Sequence, residues 1–259
     1  MARIGVYQQV VLLLVLLVQV SSVFGDHPDL AIFVDNSYPP YMYEPEEKDV
    51  AGLYPKLLLE IISGTSVTAE IVAVPWKRAL LYGGDGVGAV GGAYKNDKRL
   101  KKYDYSAPLY EEKMVIFVNK GQQFEYNDLD DLSGKTIGVN RGWSYGQKFD
   151  AAREKELFKV NVRADLSDNF KMLALGRIDC LILDQLSGES YIQHLGLNDK
   201  IVALPVPFSL NNSHLIIPKE LNMKAFLKEF DASLAKMREA GTYDDIVQQF
   251  IQDTVSSHK

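Results

Sequence analysis

Residues 176–184, GRIDCLILD, decide the fold of this chain. Gly176 ends a helix that Ser167 can cap, because glycine readily adopts the left-handed conformation that follows a helix. The apolar run from 178 to 183 is typical of a buried strand, and Asp184 stands at its carboxyl end. Ligands of open α/β sheets collect outside the carboxyl ends of the strands. We therefore expect Asp184 to lie at a binding site, although it can also be the N-cap of the next helix.

Strands and helices also alternate along the chain before and after this stretch. The predicted strands cover 30–34, 67–74, 113–118, 136–139, 178–183 and 214–217. The predicted helices cover 53–62, 76–84, 167–175 and a stretch from Lys219 onwards, and a further helix follows the loop at 140–144. Strands that alternate with helices favour a mostly parallel α/β sheet.

The predicted helix after Lys219 carries an apolar stripe that needs a sheet to cover. The stripe consists of Phe226, Leu227, Phe230, Leu234 and Met237. The second α/β unit is complete by about Pro207, so we expect this helix to return to the first unit. The chain then crosses twice between two lobes, and two crossings make a hinge.

Composition is typical of a soluble globular protein with one large domain or two smaller ones. Of the 259 residues, 47% are hydrophobic and 24% are charged.

The first 25 residues contain Arg3, an apolar run at 10–18 and the segment SSVFG, which together predict a secretory leader that is cleaved after Gly25. The apolar run is much shorter than the about 20 residues that span a bilayer, which disfavours a retained membrane anchor.

Charge and cysteine content exclude several classes of protein. The net charge is −6, and it becomes −7 without the leader, whose one charged side chain is Arg3. Such an acidic chain is a poor partner for nucleic acid. Cys180, the single cysteine, lies in an apolar strand, so we expect neither a disulfide framework nor a lipidated N-terminus. No metal-ligand spacing occurs, and we expect no metal and no cofactor.

A cation and an anion stand in two motifs that are far apart in the chain. Arg99 lies in NDKR at 96–99, and Asp184 follows the strand described above. A free amino acid carries a carboxylate and an ammonium group, so an Arg and an Asp that face each other can hold both ends. This pairing favours the binding of a zwitterion. Arg99 in a lysine-rich segment is, by itself, more typical of a solvated surface charge.

Five short motifs, taken together and in this order, resemble the extracellular solute-binding proteins of polar amino-acid ABC importers. They are YPPY at 38–41, KR at 98–99 followed by YSAPLY at 105–110, LSGKTIGV at 132–139, GRID at 176–179 and GTYD at 241–244. Each motif is weak alone, but their joint order is specific. The resemblance spans nearly the whole chain after the leader.

The resemblance implies an α/β fold of the type II periplasmic-binding-protein kind, with two lobes, two hinge strands and a ligand cleft that closes between the lobes. Lobe 1 would comprise 26–112 and 209–259, and lobe 2 would comprise 113–208, after a leader at 1–25. It also implies a periplasmic or secreted monomer without enzymatic activity. Such a protein binds an amino acid or a similar small zwitterionic or anionic solute and delivers it to a membrane ABC permease.

The resemblance implies roles for individual residues. Arg99 would hold the ligand carboxylate, with a share for Ser144 and nearby backbone N–H groups. Asp184 would hold the ammonium group, and Asp35 would help with that group or with the ligand side chain. Tyr38 would form an aromatic wall over the ligand, although an aromatic ring can equally serve to pack its own loop.

Two segments depart from the family pattern and leave the identity of the solute open. Residues 91–94, GGAY, stand where relatives often place small hydroxyl residues, and residues 142–144, GWS, stand where they often carry Gly-Thr-Thr or Gly-Thr-Ser. Gly92, Tyr94 and Trp143 are therefore candidate ligand contacts that supply fewer hydroxyls and more aromatic bulk. Trp143 can alternatively belong to the core.

A third segment, PWKRAL at 75–80, marks a subgroup whose ligands the sequence does not identify. Trp76 and Arg78 are its candidate binding residues. Arg78 is either a second contact to an anion or an ordinary surface charge.

Three other functions stand beside solute import. A soluble sensor would have the same cleft but would present its ligand to a membrane receptor. A dehydratase-like enzyme would need an acid or a base poised in the cleft, and the four histidines lie outside the motifs. A purely structural secreted protein would give no reason for Arg99 and Asp184 to stand at strand ends that face one cleft.

Overall fold

The computed structural model describes residues 28–45 and 49–256 of the chain. The leader predicted at 1–25 and its cleavage position after Gly25 lie outside the described residues. The strands are β1 Leu30–Asp35, β2 Ser37–Tyr38, β3 Met42–Tyr43, β4 Ala69–Val74, β5 Ala89–Tyr94, β6 Tyr103–Tyr105, β7 Tyr110–Asn119, β8 Thr136–Asn140, β9 Lys159–Arg163, β10 Cys180–Asp184, β11 Ile201–Ala203 and β12 Ser209–Pro218.

Helices cover the faces of the sheet that these strands form. They are α1 Leu53–Ser63, α2 Trp76–Gly84, α3 Asp97–Lys102, α4 Gln147–Glu154, α5 Leu166–Ala174, α6 Gln185–His194, α7 Lys224–Glu239 and α8 Thr242–Ser256. Short 3-10 turns occupy Leu129–Leu132 and Lys219–Leu221. None of the helices within the described ranges has the length and the apolar content to cross a membrane.

The main sheet contains two parallel regions joined by antiparallel strands. Its strand order is β4-β1-β5-β12-β7-β10-β8-β9, with β6 paired to β12 and β11 paired to β7. Strand β1 is parallel to β4 and β5, and β8 is parallel to β9 and β10. We call the region of β1, β4 and β5 with helices α1 to α3 the first half, and the region of β8, β9 and β10 with helices α4 to α6 the second half.

The prediction of a mostly parallel sheet is wrong for the centre of the sheet. Strands β5, β12, β7 and β10 follow one another there in antiparallel pairs. The reason lies in the route of the chain, because β7 leads out of the first half and β12 leads back into it. Two neighbouring strands that carry the chain in opposite directions have to pair antiparallel.

Both long strands belong to the two halves at once. Strand β7 pairs with β12 at its start and with β10 and β11 further on. Strand β12 pairs with β7 over Ser209–Ser213 and then with β5 and β6. Glu112 and Asn211 face each other in the shared segment. These two strands are the connections between the halves in the described part of the chain.

The C-terminal helices pack on the first half, as the apolar stripe of α7 predicts. Ser233 Oγ in α7 donates a hydrogen bond to the carbonyl of Ile61 in α1 at 2.7 Å. Helix α1 turns one apolar face inward, and its buried residues include Leu53, Leu57, Leu58, Ile61 and Ile62. Full burial of an aliphatic side chain of this size stabilises a fold by about 1.5–3 kcal/mol.

Three local predictions need correction. Asp165, not Ser167, caps α5, because its carboxylate accepts a hydrogen bond from Ser167 N at 2.7 Å. The strand expected over 67–74 begins at Ala69. The helix expected from Lys219 begins at Lys224, after a 3-10 turn that Asn222 ends in the left-handed conformation.

Candidate ligand-binding site

A cavity lies between the two halves, at the carboxyl ends of strands from both. Its volume is about 20 Å³, which is room for about one water molecule. Its lining residues are Tyr38, Met42, Trp76, Gly92, Tyr94, Arg99, Trp143 and Ser144. The first six come from the first half, and the last two come from the loop after β8 in the second half. Seven of these eight residues are among the candidates from the sequence, and Met42 is not.

Local backbone conformation lets the walls of the cavity approach one another. Gly92 has a φ of 81°, which side chains other than glycine rarely adopt. A Cβ atom at this position would lie 2.8 Å from Tyr54 Cδ2 and 3.0 Å from Met42 Cε. Gly92 therefore fits where a hydroxyl residue would collide with the wall, and this accounts for the departure from the family pattern at this position.

Arg99 is the charged residue of the cavity lining. Asn96 caps α3 through Arg99 N at 2.9 Å, and the short helix presents the guanidinium to the cavity. Nη1 donates to the carbonyl of Tyr94 at 3.0 Å and Nη2 donates to the carbonyl of Gly142 at 3.4 Å. The guanidinium carbon lies 5.6 Å from the centre of the Trp76 ring. Only 8% of the surface of Arg99 is exposed.

Arg99 has no acidic partner within 4.0 Å among the residues that the structure describes. Burial lowers the pKa of the guanidinium below its usual value. An arginine nevertheless stays protonated in proteins, so the charge persists in a poorly solvated place. A buried cation of this kind is stabilised by an anionic group that enters the cavity.

Trp143 reaches from the second half onto the first. Its ring packs against Tyr38 in an edge-on arrangement, with 4.6 Å between the ring centres. Asp35 lies beside Trp143, and its carboxylate accepts hydrogen bonds from Ser37 N and Ser37 Oγ at 3.0 Å each. Burial raises the pKa of Asp35, and these hydrogen bonds oppose that change. Asp35 is buried beside Trp143 and does not line the cavity.

Ser144 lines the cavity, but its hydroxyl has a protein partner. Ser144 Oγ donates to Asp150 Oδ2 at 2.5 Å, at the start of α4. Its backbone N–H belongs to the loop that precedes this helix, where anions bind well. Trp143 N donates to the carbonyl of Asn140 and Tyr145 N donates to Asp150 Oδ1, at 3.3 Å each, so the N–H of Ser144 is the backbone group of this segment that is left for a ligand.

Asp184 and Arg78 lie outside the cavity lining. Asp184 is 1% exposed and caps α6, because it accepts hydrogen bonds from Leu186 N at 2.9 Å and Ser187 N at 3.1 Å. Burial raises its pKa to about 6, while hydrogen bonds from Tyr41 and from the backbone lower it. Arg78 lies on the exposed face of α2.

Glu112 forms a cluster that the sequence analysis missed. The hydroxyls of Tyr38, Tyr54 and Tyr94 all donate to its carboxylate. Burial, with a smaller effect of the nearby Asp184, raises the pKa of Glu112 to about 8, and the three hydroxyls oppose this shift. Tyr38 and Tyr94 also line the cavity, so Glu112 fixes two of its walls.

A signal for Glu112 exists in the sequence. Residues 111–113, EEK, look like an exposed charged turn before an apolar strand. Residues two apart on a strand share a face, and β7 begins at Tyr110. Glu112 therefore lies on the same side as Met114, and both are fully buried. The period-2 pattern identifies the residue only when the start of the strand is known.

The described residues do not provide a metal site, and the buried histidine among them is not part of the cavity lining. They contain no group of three or more potential metal ligands. His214 is buried on β12, where its Nδ1 lies 2.8 Å from the carbonyl oxygen of Ser106. The chemistry of the cavity is therefore that of a cation surrounded by rings, which suits recognition of an anionic group.

Comparison with known proteins agrees with this architecture. A sequence profile of the family described as bacterial extracellular solute-binding proteins, family 3, matches residues 30–253. The L-cystine-binding protein TcyJ of Escherichia coli (strain K12) is 24% identical over 233 residues, which cover 85% of this chain and 82% of that protein.

Solved structures show the same fold. An ancestral arginine-binding protein bound to arginine has a TM-score of 0.73 at 24% identity and covers 85% of this chain and 97% of its own. A histidine kinase sensor domain with similarity to periplasmic binding proteins has a TM-score of 0.75 at 20% identity and covers 85% and 95%. The fold is thus the two-lobe α/β fold of type II periplasmic binding proteins. The family profile matches almost the entire described chain, and the protein therefore belongs to the bacterial extracellular solute-binding proteins of family 3.

Proposed function

We propose that the protein is the solute-binding component of an ABC importer and that it binds an amino acid or a similar small solute through a carboxylate held by Arg99. The observation that carries this proposal is the state of Arg99, a buried cation at the cavity without an acidic partner in the described chain. A ligand carboxylate supplies the missing charge. Family membership supports the same function.

The expected contacts are sufficient for useful affinity. Hydrogen bonds to charged groups contribute about 1.5–3 kcal/mol each, and micromolar binding requires about 8 kcal/mol. The guanidinium of Arg99, which has five N–H donors, and the N–H of Ser144 provide several such bonds. The rings of Tyr38, Trp76 and Trp143 add apolar contact, which offsets part of the cost of ordering the ligand.

We propose that lobe 1 comprises 26–112 with 209–259 and that lobe 2 comprises 113–208. The paths of β7 and β12 support these boundaries, because both strands pass from one half to the other near Glu112 and Ser209. Trp143 would move with lobe 2 and close over a ligand that lies against Tyr38. Hinge closure of this kind is known for periplasmic binding proteins.

We propose further that the leader is cleaved after Gly25, that the mature chain is a periplasmic monomer and that a membrane permease receives the solute. The intact mass of the secreted protein tests the cleavage position. Its elution with light-scattering detection tests the monomer. A chain that keeps the leader or forms stable dimers contradicts the corresponding statement.

A sensory role is the second candidate. The similarity to a histidine kinase sensor domain favours it, since that protein uses the same fold in a sensor domain. Pull-down with solubilised membranes, with and without ligand, distinguishes the two roles by the partner that it recovers: a permease for import, or a receptor for sensing. In either role the ligand is expected to be recovered unchanged after incubation, whereas conversion of the ligand would indicate an enzyme.

Thermal unfolding against a panel of ligands tests the binding function. The panel contains L- and D-amino acids, small peptides, dicarboxylates and simple monocarboxylates, and the protein is first unfolded and refolded to remove bound solute. A ligand at 100 times its dissociation constant adds about 2.7 kcal/mol to the free energy of unfolding and raises the melting temperature by several degrees. A panel without any shift contradicts the proposal.

A further inference from the structure

Glu112 is a buried carboxyl group at the junction of the two halves, and no cationic side chain of the described residues pairs with it. It lies on β7 opposite Asn211 of β12, where the two connecting strands run side by side. Its hydrogen-bond partners are the hydroxyls of Tyr38, Tyr54 and Tyr94 in the first half. Burial of a carboxylate without a cation is costly, and hydroxyl groups offset this cost only in part. The packed arrangement therefore favours the protonated form of Glu112.

The cluster has a place for this proton. Tyr38 and Tyr94 both donate to Glu112 Oε2. Tyr54 donates to the other oxygen, Oε1. A proton on Oε2 can be donated to the oxygen of Tyr94, whose hydroxyl then turns to Met114 Sδ at 3.5 Å. Every hydroxyl of the cluster thus keeps a partner when Glu112 takes up a proton.

Other ionisable groups face Glu112 from the elements that pack around it. Asp184 at the start of α6 is acidic, and burial, followed by the charge of Asp184, raises the pKa of Glu112 to about 8. Glu111 and Lys113 on the same strand are exposed and point to its other face. The remaining groups are tyrosines, and burial raises the pKa of each above its usual value, so they stay neutral while Glu112 titrates. They are Tyr38 of β2, Tyr41 of the next turn, Tyr54 of α1, Tyr94 of β5 and Tyr110 of β7.

Two of these tyrosines stand between Glu112 and the cavity. Tyr38 and Tyr94 line the cavity and also donate to Glu112. Trp143 of the second half covers Tyr38, with 4.6 Å between the ring centres. Separation of the halves would uncover Tyr38, admit water to the cluster and move Asp184 away from it. Water stabilises a carboxylate better than a buried site without a cation does, so an open cleft favours the ionised form of Glu112.

We propose that Glu112 is a proton switch of the hinge: the halves close while its carboxyl group is protonated, and loss of this proton opens them. The proposal rests on the hinge motion that is part of the proposed function. Closing the cleft takes up one proton from solvent, and opening it returns that proton. Once the pH exceeds the value at which Glu112 titrates in the closed molecule, the ratio of closed to open molecules falls up to about tenfold for each pH unit.

A pH titration of the unliganded protein tests the switch without any solute. The chain has two tryptophans, Trp76 and Trp143, and both line the cavity. The secreted protein, freed of bound solute by unfolding and refolding, is titrated from about pH 6 to about pH 9.5. As the pH rises above about 8, we expect the tryptophan emission to move to longer wavelength and the radius of gyration from small-angle scattering to increase.

The proton on Glu112 can be observed directly. In protein labelled with ¹³C at the glutamate carboxyl carbons, the signal that is missing in Glu112→Gln should titrate near pH 8. A signal that titrates in the usual range of a glutamate, near pH 4.5, overturns the proposal.

Two variants and a control assign the opening to Glu112. Glu112→Gln should stay closed over the whole range, because its amide donates and accepts as the protonated acid does. Glu111→Gln, exposed on the same strand, should open like the wild type. If Glu112→Gln does not fold, Tyr54→Phe is the second variant. Tyr54 does not line the cavity, and loss of its hydroxyl, which favours the ionised form, should move the opening to higher pH.

The outcomes separate the switch from the function on which it rests. A wild type without a pH response, the same response in Glu112→Gln, or an unshifted response in Tyr54→Phe overturns the switch and leaves solute binding in place. A ligand panel without any shift, together with a pH response that depends on Glu112, contradicts the binding function and keeps the hinge with its switch.

Discussion

Arg99 is the residue on which binding is expected to depend most. We predict that Arg99→Met weakens binding of the best carboxylate ligand by about 3 kcal/mol, or more than a hundredfold, since two hydrogen bonds to a charged group are lost. The unliganded variant should be at least as stable as the wild type, because the substitution removes an unpaired buried charge. Titration calorimetry and thermal unfolding measure the two effects.

Arg78→Met is the matched control for this variant. Arg78 is exposed on α2 and does not line the cavity. Its substitution should leave the affinity within a factor of about two, since exposed charges away from specific contacts contribute little. An equal loss in both variants would point to a general electrostatic effect and against a specific contact by Arg99.

At the scale of single residues, sequence reasoning succeeds where a motif ties a residue to the end of a strand. Tyr38 follows β1, Arg99 follows β5 and Trp143 follows β8, and all three line the cavity. Asp184 is also at a strand end, but its carboxylate accepts hydrogen bonds from the first turn of α6, and its contact with a ligand ammonium group stays a prediction. A strand end and an N-cap look the same in sequence, and only the direction of the side chain separates them.

At the scale of elements, the position of Glu112 on β7 makes stability depend on pH. Its pKa is raised from 4.5 to about 8 in the folded protein. The folded state therefore binds this proton more tightly than the unfolded state does, and protonation of Glu112 stabilises the fold. This contribution to the free energy of unfolding is complete below pH 4.5 and is lost as the pH rises through about 8. Asp184, whose pKa is raised from 3.8 to about 6, also lowers the free energy of unfolding as the pH rises, but it does so at lower pH.

We predict that the melting temperature of the wild type falls between pH 5 and pH 9 and that Glu112→Gln has a weaker dependence on pH over this range. Glutamine does not titrate, and its amide can still bond to the tyrosine hydroxyls. The neighbouring Glu111→Gln is the control, because Glu111 is exposed on the same strand. The same slope in the Glu112→Gln variant as in the wild type would show that other groups cause the dependence.

The cap of α5 provides a second prediction for an element. Asp165→Ala should destabilise the protein by about 1 kcal/mol, because it removes the side-chain acceptor at the first turn of the helix. Ser167→Ala should have a much smaller effect, since Ser167 contributes its backbone N–H to this cap. Chemical denaturation measures both. A larger loss in Ser167→Ala would restore Ser167 as the capping residue.

At the scale of the whole molecule, polar contacts join the rims of the two halves. Lys98 Nζ lies 2.6 Å from Glu154 Oε1, and Gln147 Nε2 donates to Asp97 Oδ2 at 2.6 Å. The side chains of Lys98 and Glu154 are 85% and 62% exposed, so their ion pair is screened by solvent. Tyr191 on α6 adds a hydrogen bond to the carbonyl of Ser37 at 3.3 Å.

We predict that Lys98→Ala lowers ligand affinity by less than about fivefold, because an exposed ion pair contributes at most about 1 kcal/mol. Small-angle scattering of the same variant should still show a more compact molecule with ligand than without it. A loss of affinity above tenfold, or a molecule that no longer closes, would make this ion pair a determinant of closure.

The arrangement of the two halves was predictable only in part. The alternation of strands and helices and the apolar stripe of α7 indicate two α/β units with a returning C-terminus. They do not reveal that β7 and β12 carry the chain in opposite directions through the centre of one sheet. Pairing between segments so distant in sequence depends on the route of the chain, and local patterns record neither partner nor direction.

The pairing of β7 with β12 also makes the second half an insertion. Met114 and Ser209 are paired across these strands, so the chain enters and leaves the second half at neighbouring points, about 5 Å apart. A short hairpin turn could join these points without altering the strand order of the first half. One wall of the cavity is therefore contiguous in the gene and can be exchanged as a single cassette, while the other wall, with Arg99, stays in place.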